Sequence, residues 1–147
     1  MNEQNINSQN EQKPAKKIAL IESDKKWSRL LPEMLQKKLE ILIEDGKVEL
    51  IVTETQEEVE DILNKGDLAI LVIDENQSET ILEQIKSGNY EKPEYILETC
   101  TTENGKQVND DSTTETNGVF RCLKIDTGKT INEIINRNLK IEKTTNE

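Results

Sequence analysis

The chain has 147 residues, 33% of them hydrophobic and 33% charged, with a net charge of -11 and no histidine. A surface this acidic repels phosphates, which argues against nucleic acid as a partner. No apolar run approaches the roughly 18 residues of a membrane span, and without histidine there are no His-based triads or His metal sites.

Met1 to Ala15 is polar, with Ile6 as its one branched apolar residue, and reads as a disordered tail. It contains no apolar leader core, so a cytoplasmic location is expected, with Cys100 and Cys122 as reduced thiols. The domain is expected over residues 16–142, with a C-terminal tail over 143–147. Lys16 to Ile21 reads as a first strand, ending at Glu22-Ser23-Asp24, where Ser23 or Asp24 can cap a helix. Trp27, Leu30, Leu31, Met34, Leu35, Leu39 and Leu42 then recur at helical spacing. Pro32 falls inside that stripe, so the helix either starts near it or kinks there. Val48 to Val52 is a second strand. Thr55 and Glu58 form a capping box for a short helix ending at Lys65-Gly66.

Leu68 to Ile73 is an unbroken apolar run between Asp67 and Asp74. Such a run reads as a strand buried on both faces, which requires helices on both sides of a parallel sheet. Asp74 and Glu75 then stand at the carboxyl end of a central strand, where open α/β sheets place their sites. A polar turn, Glu75 to Ser78, is expected next, with Asn76 or Ser78 capping a third helix. Tyr95 to Leu97, ending at Glu98-Thr99-Cys100, is a fourth strand, and Val119 to Ile125 a fifth. Asp126 or Thr127 caps a last helix carrying Ile131, Ile134, Ile135 and Leu139. Residues 101–118 hold Val108 as their only large apolar side chain, so they read as a polar loop where a helix would otherwise connect the fourth and fifth strands. The triplet Gly128-Lys129-Thr130 is not a phosphate loop, because Leu123 stands where that loop needs glycine.

Five strand-helix units with acidic strand ends resemble the receiver domain of bacterial two-component response regulators. The resemblance covers Lys16 to about Ile141 and rests on Ile21-Glu22-Ser23-Asp24, on Asp74, on Leu97-Glu98-Thr99-Cys100 and on the stretch from Asn117 to Asp126. It implies an α/β, flavodoxin-like, doubly wound five-stranded parallel sheet of order 2-1-3-4-5, from which the polar stretch 101–118 departs, with the fourth helix expected to be missing or disordered. It further implies Asp74 as phosphoacceptor, Lys124 and Thr99 as phosphoryl contacts, and Glu22, Asp24 and Asp74 as holders of Mg²⁺. Those residue types suit phosphoryl transfer to a carboxylate, which needs a divalent cation, a cationic clamp and a hydroxyl that follows the new charge.

The chain also departs from the family pattern. Ser23 separates the two acids, Ile125 follows Lys124 where the family carries proline, and Glu75 to Ser78 replaces a proline-containing loop. A direct alignment can also place Val72 at the acceptor position. These departures imply a degenerate or pseudo-receiver, a non-enzymatic signalling module acting mainly through protein–protein interaction. Its partner would be a histidine kinase, another signalling protein or a second copy. The alternatives are a phosphorylatable receiver and a flavodoxin-like protein binding a small ligand at the same edge.

Overall fold

The computed structural model describes residues 15–88, 90–101, 114–116 and 119–139. Its parallel strands are β1 (Lys16–Ile21), β2 (Val48–Val52), β3 (Leu68–Asp74), β4 (Tyr95–Cys100) and β6 (Val119–Leu123), with a short β5 (Thr114–Thr116) before the last. They lie in the order β2-β1-β3-β4-β6-β5. Counting the parallel strands alone, this is the expected 2-1-3-4-5 flavodoxin-like order. The sheet differs in having a sixth strand. Thr114–Thr116 pairs antiparallel with β6, Glu115 opposite Phe120, within a segment that its polarity marks as loop. Backbone pairing along an open edge needs no apolar side chain, so hydrophobic pattern does not announce it. The expected absence of a helix falls on residues 102–113, outside the described ones.

Helix α1 (Lys25–Lys38) breaks at Leu39 and resumes as the short α2 (Glu40–Glu44). Pro32 sits inside α1, where its missing N–H leaves the Ser28 carbonyl without its helical partner. Helix α3 (Gln56–Lys65) carries the Thr55–Glu58 capping box and ends at Gly66, φ 70°. Helix α4 (Glu75–Lys86) starts immediately after β3, so the expected turn Glu75 to Ser78 is its first turn instead. A 3₁₀ turn (Lys124–Asp126) separates β6 from α5 (Thr127–Ile134).

Every residue of β3 is buried, from Leu68 to Asp74. Alternation along the strands divides the core into two layers. Ile18, Leu20, Ile70, Val72, Leu97 and Cys122 face α1 and α5. Ala19, Ile21, Leu71, Ile73 and Ile96 face α3 and α4. Gly128 lets α5 approach α1 closely, since a Cβ there would sit 3.3 Å from Lys38 Cγ and 3.8 Å from Leu35 Cδ2. Thr127, Gly128 and Thr130 are therefore core contacts of a helix start.

Candidate functional site at the carboxyl edge

Strand register brings the candidate residues to one edge. Ile21 pairs with Ile73, which sets Glu22 beside Asp74. Asp74 is opposite Thr99, and Thr99 is opposite Cys122, two residues before Lys124. Asp74 and Thr99 continue the alternation of Val72 and Leu97, so they belong to the α1/α5 layer. Asp74, Thr99 and Lys124 are all at most 1% exposed.

Lys124 Nζ lies 2.5 Å from Glu22 Oε2, and both side chains are buried. The same carboxylate oxygen accepts the Asp24 amide at 3.0 Å. Burial pushes the Glu22 carboxyl above its ordinary range, while the Lys124 ammonium and the Asp24 amide pull it back. Asp74 is held from two sides. Its Oδ2 accepts the Ser23 amide at 3.0 Å and the Ser23 hydroxyl. Its Oδ1 accepts the Gln77 amide at 3.2 Å, which makes Asp74 the N-cap of α4 in place of Asn76 or Ser78. The cap follows from β3 running directly into α4, since a carboxylate at that junction reaches the first-turn amides.

Asp24 is directed elsewhere. Its carboxylate caps α1, accepting Lys26 N–H at 2.8 Å and Trp27 N–H at 3.1 Å. The Trp27 amide foremost, and then the Lys26 amide, hold its carboxyl below the usual range. The expected Mg²⁺ set of Glu22, Asp24 and Asp74 is therefore not assembled. No group of three acidic or thiol side chains among the described residues is close enough to hold a metal ion. The physical reason is orientation: Asp24 turns to cap α1, Lys124 and the Asp24 amide hold Glu22 through Oε2, and Ser23 and Gln77 take both oxygens of Asp74, so the three acids do not converge on one cation. The residues do not fit Mg²⁺ in this arrangement.

Two buried polar atoms at the edge have no hydrogen-bond partner among the described residues: Glu22 Oε1 and Thr99 Oγ1. Lys124 bonds to Glu22, and Thr99 bonds to neither Asp74 nor Lys124. Val72, the other acceptor position an alignment allows, is a core side chain.

A second pair lies on the opposite face of the sheet. Glu98 and Arg121 are register partners on β4 and β6. Arg121 donates from Nε at 2.8 Å and from Nη2 at 2.7 Å to Glu98 Oε1. Sequence reasoning passed over this pair, although opposite charges at matching strand positions were its available signal. The cysteines also face opposite layers. Cys122 packs with the α1/α5 core, where burial pushes its thiol up to about 12. That leaves it a poor nucleophile.

Comparisons of the chain with protein-family models, with curated proteins and with solved structures give no match. Among the described residues no helix is long and apolar enough to cross a membrane.

Proposed function

We propose that the chain is a receiver-like signalling module of the two-component type that works in the cytoplasm by binding a protein partner. Phosphoryl transfer is not its operating step and it is not an enzyme. The observation that carries this reading is the closed state of the acidic edge: Lys124 Nζ sits on Glu22 at 2.5 Å, while Ser23 and Gln77 hold Asp74. A receiver that takes phosphate needs its carboxylates open to a cation and to the incoming group. Here the cationic side chain neutralises an acid instead. The partner is a histidine kinase, another signalling protein or a second copy of the chain, and the net charge of -11 disfavours nucleic acid.

The phosphorylatable receiver is the second reading. Thr99 favours it, because a buried hydroxyl with free bonding capacity stands opposite Asp74.

One experiment separates the two. Incubation with acetyl phosphate and Mg²⁺, followed by intact-mass measurement, is expected to give no adduct. An adduct that vanishes in Asp74→Asn would overturn the first reading in favour of the second. Millimolar Mg²⁺ is likewise expected to leave the melting temperature unchanged, since a ligand stabilises a protein only by binding its native state. A rise that saturates with Mg²⁺ concentration would show that the edge opens to metal.

A further inference from the structure

A cleft of about 510 Å³ opens at the same edge over the carboxyl ends of β1 and β2. Its volume falls in the range of small-ligand sites, roughly 300–1,000 Å³. Its lining includes the apolar side chains Leu20, Val52 and Val59. Lys25 and Arg29 line it from α1. At that spacing they share one helix face. Neither forms an ion pair among the described residues. In a chain of net charge -11, two cations without an ion-pair partner on one cleft are a local attraction for an anion. Of the two acids at the cleft, Glu22 is neutralised by Lys124, and Glu54 is exposed. Gln56 and Gln77 add amide donors.

We propose that this cleft binds a small organic anion, with its apolar body against Leu20, Val52 and Val59 and its phosphate or carboxylate between Lys25 and Arg29. Two lining residues connect the cleft to the acidic edge. Ser23 and Gln77 line it and also donate to Asp74. An occupant touching them perturbs the bonds that hold Asp74, which gives the module an input that needs no phosphoryl transfer. This coupling rests on the signalling role proposed above; the binding site does not.

The test is an NMR titration of the uniformly ¹⁵N-labelled full chain. The probes are nucleoside monophosphates, sugar phosphates and aromatic carboxylates, with adenosine and inorganic phosphate as controls lacking the charge or the body. At least one organic anion is expected to give saturable shifts at Lys25, Arg29, Thr53, Gln56 and Gln77, carried through to Asp74. The double variant Lys25→Glu, Arg29→Glu changes only exposed side chains. It should keep its dispersed spectrum and bind at least about tenfold more weakly, which corresponds to about 1.4 kcal/mol. The site is refuted if no probe saturates at millimolar concentration, if the charge reversal leaves affinity unchanged, or if inorganic phosphate alone reproduces the shifts. Saturable shifts that leave Asp74 and Glu22 unmoved would refute the coupling alone, and the acetyl phosphate result stands independently of both.

Discussion

Replacing Lys124 by methionine is expected to destabilise the domain by about 3–5 kcal/mol, the cost of leaving one member of a buried ion pair without its partner. For a domain of this size that lowers the melting temperature by roughly 10–20 °C. The expectation follows from the pair's burial, with Lys124 and Glu22 side chains 1% and 2% exposed. Without the ammonium, the Glu22 carboxylate keeps only the Asp24 amide as partner in a largely buried position. The double variant Glu22→Leu, Lys124→Met should recover most of the loss, because a buried pair replaced by apolar groups of similar volume is often neutral or better. Thermal and urea unfolding of the two single variants and the double variant give the coupling directly. A loss under about 1 kcal/mol in Lys124→Met would place the pair in the class of surface salt bridges.

The same variant carries a pH signature. Burial, the largest influence on Glu22, raises its carboxyl in the folded chain above the ordinary value of 4.5. A folded-state value above the unfolded one means that the folded state holds the proton more tightly. That contribution to stability is complete below 4.5 and is lost as pH rises through the raised value. Lys124 opposes the shift, so removing it moves the window further up. The deficit of Lys124→Met should therefore be largest at neutral pH and shrink on acidification. A deficit independent of pH would assign the effect to lost packing of the lysine stem.

Asp74→Ala is expected to cost about 2–4 kcal/mol, combining the loss of a helix cap with part-buried Ser23 and Gln77 amides left without their acceptor. The side chain is fully buried and accepts bonds from the Ser23 amide, the Ser23 hydroxyl and the Gln77 amide. The sign of the change is the informative part. In an open acidic pocket, deleting one carboxylate relieves repulsion and stabilises the fold. Here the carboxylate ties β1 to β3 and starts α4, so its loss destabilises. Asp74→Asn should fall between the wild type and alanine, because the new amide group is a donor facing donors. Urea midpoints at constant m-value measure all three proteins. An Asp74→Ala variant more stable than the wild type would contradict the closed edge.

Local pattern determined the elements of this protein. The apolar run Leu68 to Ile73 specifies a strand covered on both faces, and helices on both sides of a parallel sheet follow from that one requirement. Thr55 and Glu58 fix the start of α3 within a single turn of chain, so the capping box is legible without tertiary information. The gathering of Glu22, Asp74, Thr99 and Lys124 at one edge was also legible, since parallel strands of known order carry their ends to the same side. What each polar group does there was not. The bond from Lys124 to Glu22 spans 102 residues, and no local spacing states whether an ammonium will meet an acid or a phosphoryl group. Asp24 was an equal candidate for metal ligand and helix cap until the first-turn amides of α1 were placed within 3.1 Å of it. The strand Thr114–Thr116 pairs through backbone alone, and the cleft exists only because the ends of β1 and β2 and the start of α1 converge. Hydrophobic periodicity is a property of neighbours in the chain, and it sets the layers. Hydrogen-bond partnership depends on which donors and acceptors the fold brings together in space, and that was settled only by the packed sheet.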